Sequence, residues 1–205
     1  YVNGELIRDV TKYPPFQGII REMAQLYDRQ HEETYKEILT YPSPTSGEPV
    51  STSFVLAERW QDVEKRRYGE TARCELTCGM MGRLPDYMNA FVADMAAIKS
   101  WLGRNESQLG ENSWAYYELC REKDLCLTHT LVDPQIDKTK GVEEQESIRI
   151  VKETDAGLIV KGARMLSTLA PVSDDIWVAP YMPRKPGQRD YAISFSIPMA
   201  TRGLK

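Results

Sequence analysis

Apolar residues recur at a helical spacing up to about residue 127 and at a strand spacing beyond it. From Pro14, the run "PPFQGIIREMAQLYDRQHEETYKEIL" places Phe16, Ile19, Ile20, Met23, Leu26 and Tyr27 on one stripe, and the proline pair marks its start. A charged helix is expected through "LAERWQDVEKRRYGETARCEL". Another is expected over "PDYMNAFVADMAAIKSWL", with Tyr87, Phe91, Met95, Ile98 and Leu102 on one face, and a last one in "SQLGENSWAYYELCREKDL". Between the first two, "YPSPTSGEPVSTSF" is rich in proline, serine and glycine and reads as a loop.

Past Leu127 the pattern changes. "SIRIVKETDAGLIVKGARML" holds two β-rich runs joined by "TDAG", a hairpin signal, and "DIWVAPYM" and "YAISFSIPM" add two further strands. The expected class is α+β, with a helical domain over residues 1–127 and an antiparallel β-domain over residues 128–205. The closing "ATRGLK" directly follows a strand-like run and would leave a sheet edge unprotected. The first residue is not methionine. Both features read as a fragment of a longer protein with an incomplete β-domain.

Composition narrows the partners. The 205 residues are 41% hydrophobic and 27% charged, ordinary for a globular protein, and the net charge is -4. With no basic cluster interleaved with aromatics, nucleic acid is not an expected partner. No apolar run approaches the roughly 18–20 residues of a membrane span. The opening "YVNGELIRDVTKYPP" has neither the basic start nor the apolar core of a secretion signal. Four cysteines do not make a disulfide framework in a chain of this size, so the expected compartment is the cytoplasm.

Three constellations could carry chemistry. Cys74 and Cys78 are four apart, with Cys120, Cys126 and His129 further on, and such a set could ligate zinc or an iron–sulfur cluster. Buried cysteines also behave as small hydrophobes, and that reading, with no metal, is the one adopted. His31 in "DRQHEETY" reads as a solvated surface residue. His129 in "LCLTHTLVDPQIDK" lies in an expected strand at the boundary of the two domains, where it could be a core residue or meet a ligand. In "MGRLPDY", Pro85 and Asp86 suit a helix start, which puts Arg83 just before the helix and Tyr87 on its first turn. Arg83 and Tyr87 could form a structural ion pair and a core contact, or could converge on an anionic or phenolic ligand. No phosphate-binding loop or dinucleotide fingerprint is present.

Taken together, "RDVTKYPPFQGIIREMAQLYD", "MGRLPDY", "THTLVDPQIDK", "KETDAGLIVKGARMLSTLAP" and "YAISFSIPMATRGLK" resemble, in order and along the whole chain, the oxygenase components of the 4-hydroxyphenylacetate 3-monooxygenase family. These are two-component aromatic hydroxylases that use reduced FAD. The resemblance implies an acyl-CoA dehydrogenase-like fold whose C-terminal helical bundle is absent from this chain, and a homotetramer in the full-length protein. It implies hydroxylation of a phenol ortho to its OH by a flavin hydroperoxide, with O2 as oxidant and FADH2 supplied by a separate flavin reductase. Carried over residue by residue, it makes Arg83, Tyr87 and His129 catalytic. It places His129, Thr130, Leu131, Gln135, Lys138 and Thr168 against the flavin. The same resemblance leaves open a chlorophenol or nitrophenol monooxygenase, or an inactive fragment. The CxxxC spacing of Cys74 and Cys78 also matches 4-hydroxybutyryl-CoA dehydratases, which carry FAD and an iron–sulfur cluster.

Overall fold

The computed structural model describes residues 1–79, 85–137 and 139–204. The chain divides into two compact units, Tyr1–Cys126 and Leu127–Lys205.

The first unit is helical. Its elements are α1 (Gln17–Arg29), α2 (Lys36–Leu39), α3 (Trp60–Thr77), α4 (Pro85–Ala97), α5 (Lys99–Leu102) and α6 (Ser107–Lys123). The stripe read from α1 is the inward one: Met23 and Leu26 are buried and Phe16, Ile19, Ile20 and Tyr27 half-buried. The expected run stops at Arg29. Gln30 is buried and gives its carboxamide N–H to the Asp124 carboxylate at the end of α6, a contact no local pattern announces. α3 opens with the Asp62 carboxylate, which accepts the Arg59 backbone N–H at 2.9 Å and satisfies a donor the helix leaves unpaired.

The segment read as a loop is a short hairpin. β1 (Thr40–Pro42) pairs antiparallel with β2 (Pro49–Ser51), and the Ser43 N–H donates to the Glu48 carbonyl across the turn. Each strand has three residues, too few for a period of two to register. The hairpin is tied to α6. Ser43 donates to Glu122 at 2.5 Å, and the fully buried Arg121 donates to Glu122 at 2.8 Å and to the Thr45 hydroxyl at 2.7 Å.

These donors, the Ser43 hydroxyl first and then that of Ser46, lower the Glu122 pKa to about 2. A depressed carboxylate contributes stability above its unfolded pKa, about 4.3, and loses it as pH falls through the folded value. Glu122→Gln should therefore lower stability near pH 7 by on the order of 1 kcal/mol, allowing for solvent screening. The difference should close between about pH 4.3 and 2. Urea melts of parent and variant across that range measure it, and a difference that does not depend on pH would refute the assignment.

A buried polar chain crosses the unit from α3 to α4. The Arg73 guanidinium donates to the Ser51 hydroxyl at 2.7 Å, Ser51 and Ser53 share a hydrogen bond of 2.9 Å, and the Asn89 carboxamide donates to Ser53 at 2.9 Å. The network anchors the first turns of α4 to the turn Thr52–Phe54. On α4 the buried side chains are Met88, Asn89, Val92, Ala93 and Ala96. Of the face expected to be apolar, Tyr87 and Ile98 are 55% and 44% exposed, whereas Phe91, Met95 and Leu102 are half-buried.

The second unit holds β3 (Leu127–Thr130), β4 (Arg149–Thr154), β5 (Gly157–Lys161), β6 (Asp175–Val178) and β7 (Phe195–Pro198). β4 and β5 form the expected hairpin, closing at Thr154 and Gly157 around the "TDAG" turn. β3, β6 and β7 form a sheet in that order. β6 and β7 are antiparallel, whereas β3 runs parallel to β6 with His129 opposite Trp177. The sheet is therefore mixed where antiparallel pairing was expected. Parallel strands need a long crossover, and residues 131–174, which include the β4–β5 hairpin, provide one. Among the described residues, no helix is long and apolar enough to cross a membrane.

Candidate functional site

The expected site residues fall on both units. In the first, α4 begins at Pro85, as its sequence predicts, and Tyr87 stands exposed on its first turn. A core-packing role for Tyr87 inside this helical unit does not fit that exposure. Arg83 and Lys138 lie outside the described residues. His31 is exposed, as read.

In the second unit, β3 is buried along its length. Side chains alternate across a strand, so His129 points to the opposite face from Thr128 and Thr130. The threonine face is turned toward residues 165–167. The Thr128 and Ser167 hydroxyls are 3.2 Å apart, and the Thr130 hydroxyl donates to the Met165 carbonyl at 3.0 Å. The Thr130 proton is thus committed, which leaves its oxygen only as an acceptor for a ligand. His129 itself is 8% exposed.

Beyond β3 the chain continues beside the same segment. The Met165 N–H donates to the Val132 carbonyl at 2.8 Å, and the Gln135 N–H reaches the Met165 sulfur at 3.3 Å. The Leu131 carbonyl accepts the Tyr181 N–H at 3.0 Å. Thr130, Leu131 and Gln135 therefore lie on a segment that runs beside Met165 and Ser167, with Thr168 next in the chain. Leu131 is half-buried, and Gln135 and Thr168 are exposed. Neither the Gln135 carboxamide nor the Thr168 hydroxyl has a hydrogen-bond partner among the described residues. Alongside lies a hollow of about 200 Å³ lined by Val132, Pro134, Gln135, Tyr181 and Met182, among others.

The sequence reading missed the ion cluster that supports this patch. Asp133 accepts from Arg184 through both carboxylate oxygens, at 2.9 and 2.8 Å, and also pairs with Arg164. In the sequence Asp133 stands out only by the proline that follows it. Its partners are far away in the chain, so no spacing rule could have paired them.

The cysteines depart from their expected geometry. α3 ends at Thr77, and Cys78 closes it in the left-handed conformation, φ 53°, donating its N–H to the Cys74 carbonyl. Cys78 has left the helical path, so it does not share a helix face with Cys74. Cys120 and Cys126 are buried. Among the described residues, no group of three or more His, Cys, Asp and Glu side chains is placed to hold a metal ion.

Comparison with known proteins extends these observations. The profile described as "4-hydroxyphenylacetate 3-hydroxylase N terminal" matches residues 1–205. The 4-hydroxyphenylacetate 3-monooxygenase oxygenase component of Geobacillus sp. (strain PA-9) is 38% identical over all of this chain and 42% of its own length. The 4-nitrophenol 2-monooxygenase oxygenase component of Rhodococcus sp is 32% identical over all of this chain and 39% of its own. The crystal structure of a 4-hydroxyphenylacetate 3-monooxygenase oxygenase component with FAD and 4-hydroxyphenylacetate bound is 36% identical. It superposes with a TM-score of 0.90, covering 98% of this chain and 42% of that one. A 4-hydroxybutyryl-CoA dehydratase from N. maritimus shares the fold at 20% identity and a TM-score of 0.84, covering 99% of this chain and 41% of that one. The chain thus spans about two-fifths of the length of the relatives it matches. Its helical unit followed by a β-unit is the N-terminal part of the acyl-CoA dehydrogenase-like architecture. With the profile matching from its first residue to its last, the chain belongs to the 4-hydroxyphenylacetate 3-hydroxylase N-terminal family.

Proposed function

We propose that this chain supplies the helical and β-units of an oxygenase that hydroxylates a phenol of the 4-hydroxyphenylacetate type ortho to its OH, using reduced FAD and O2. The observation that carries the reading is the match, over 98% of the chain, to an oxygenase component crystallised with FAD and 4-hydroxyphenylacetate. When bound, FADH2 from a separate reductase supplies the activation of O2 and the hydroxyl group transferred. The assembled protein is proposed to be a cytoplasmic homotetramer.

The residues of the second unit suit such a cofactor. A flavin ring has apolar faces and a polar edge of carbonyl and ring-nitrogen groups. The patch offers Leu131 as an apolar surface and the uncommitted Gln135 carboxamide and Thr168 hydroxyl as edge partners. Lys138 is proposed to add a cation to this set.

His129, Arg83 and Tyr87 are assigned to the phenol. A phenolate is far more reactive toward an electrophilic oxygen than a neutral phenol. His129 would hydrogen-bond the phenolic oxygen and take its proton, as an imidazole nitrogen can. Arg83, always ionised, would stabilise the phenolate charge, and the Tyr87 hydroxyl would complete the hydrogen bonds. Burial of His129 suits this role, because a dry site strengthens each of these interactions.

The test is a product assay on the complete gene product with reduced FAD, O2 and a panel of phenols. Formation of a catechol from 4-hydroxyphenylacetate is expected, and no hydroxylated product from any phenol would sink the reading. The relation to a 4-nitrophenol monooxygenase favours a second substrate for the same reaction, and faster turnover of 4-nitrophenol would select it. Cys74→Ala should change product formation less than about twofold, as expected of a substitution at a half-buried position with no chemical role. Loss of activity together with loss of bound iron would instead support dehydratase-like chemistry.

A further inference from the structure

Asp133 stands where three stretches of the second unit meet. It lies just beyond β3 and before Pro134, which restricts its backbone to extended conformations. Its carboxylate receives Arg184 on both oxygens, at 2.9 and 2.8 Å, and pairs with Arg164 as well. The Arg164 and Arg184 side chains are 2% and 6% exposed and that of Asp133 20%. Two buried guanidiniums therefore share a single carboxylate. Burial first, and the neighbouring Arg184 second, lower the Arg164 pKa to about 10.

Such a cluster is a poor source of stability, since desolvation consumes most of the attraction and apolar residues often do as well. Its other product is geometric specificity, because a carboxylate held between two charged partners from different segments has little freedom to turn. What it fixes is visible in the adjoining backbone. The Ala163 N–H donates to the Glu146 carbonyl, the Met165 N–H donates to the Val132 carbonyl, and Arg164 sits between them. Arg184 also donates to the Tyr191 carbonyl at 3.4 Å. Among the described residues, the segment 131–135 is also held beside 163–168 by single hydrogen bonds, from the Met165 N–H to the Val132 carbonyl and from the Gln135 N–H to the Met165 sulfur.

We propose that Asp133 is a positioning residue. By gripping Arg164 and Arg184 it sets the segment carrying Leu131 and Gln135 in register with the segment carrying Thr168. The inference rests on the flavin reading above, in which those three residues contact the cofactor. Without the carboxylate, the segment 131–135 loses its ion pair to Arg164, and Arg164 and Arg184 are left as two buried cations that repel each other. Gln135 and Thr168 then no longer present one edge.

The test uses the complete gene product, with Asp133→Asn as the main variant and Arg184→Lys as a milder one that keeps the charge but loses the second donor, to the Tyr191 carbonyl. Amide hydrogen exchange of Met165, Gln135 and Tyr181 reads the tie without any cofactor. Equilibrium binding of reduced FAD under anaerobic conditions reads its consequence. In Asp133→Asn, the three amides should exchange about tenfold faster while those of α1 and α6 keep their rates. Reduced FAD should bind about tenfold more weakly, and kcat at saturating FAD should change less. Arg184→Lys should fall between parent and Asp133→Asn, and it carries the test if Asp133→Asn does not fold. Unchanged exchange in a folded variant overturns the tie. Faster exchange with unchanged FAD affinity overturns the positioning role. If the parent protein itself binds no reduced FAD, it is the flavin reading that fails, and the exchange data still decide the tie.

Discussion

His129→Ala in the complete gene product should cut hydroxylated product by about 100- to 10,000-fold, the range for loss of a positioned acid–base group. Consumption of reduced flavin and O2 should continue, with hydrogen peroxide in place of product. The expectation follows from where the side chain sits. It is buried on the first strand of the β-sheet, opposite Trp177 on β6, and points away from the face that carries Thr130. Alanine there also leaves a cavity, so a loss of product could come from a loosened sheet. His129→Gln separates the two causes. It nearly fills the space and hydrogen-bonds but cannot serve as the base, so it should uncouple the reaction with Tm close to that of the parent. Arg83→Ala should uncouple in the same way, by removing the fixed charge that favours the phenolate. Parent-rate hydroxylation by either alanine variant would remove that residue from the mechanism.

Gly162→Ala is expected to be the most damaging single substitution in the β-unit. Gly162 follows β5 at φ +136°, a conformation that side-chain-bearing residues rarely adopt. A Cβ there would lie 2.5 Å from the Ser147 carbonyl oxygen and 2.6 Å from the Ile148 Cα. Both neighbours are backbone atoms, so no rotamer change relieves the clash. Strain of about 1–3 kcal/mol for the conformation and a similar amount for overpacking add to roughly 2–6 kcal/mol. That is a large part of the stability of a typical domain. Chemical denaturation should show it, and the Ala163 amide, which donates to the Glu146 carbonyl beside the glycine, should lose exchange protection first. A variant within 1 kcal/mol of the parent would show that the backbone at 162 can relax.

Periodicity made most of the architecture legible. The α1 stripe, the presence of α3, the start of α4, the strand around His129 and the "TDAG" hairpin all follow from local spacing and turn chemistry. Errors arose where distant groups decided the outcome. α1 stops at Arg29 with the Gln30 side chain bonded to Asp124, and the 40–51 hairpin is anchored by Glu122 and Arg121 of α6. On α4, the buried face is the neighbouring one of Met88, Asn89, Val92, Ala93 and Ala96, where Asn89 bonds Ser53, and the expected face is half-buried at Phe91 and Met95 and exposed at Tyr87. The candidate site followed the same division. Its residues were named from a resemblance, while the burial of His129, the commitment of the Thr130 proton and the escape of Cys78 from the helix are properties of the folded chain.

By itself, the sequence determined the helical and β halves, the elements within them and the family, since each depends on residues near one another or on motifs in order. Tertiary structure alone decided that β3 runs parallel to β6, that Tyr87 faces outward, and that Asp133 meets two arginines remote in the chain. Strand direction, helix-face choice and ion pairing are settled by contacts between segments that share no local signal, so only the folded chain can display them.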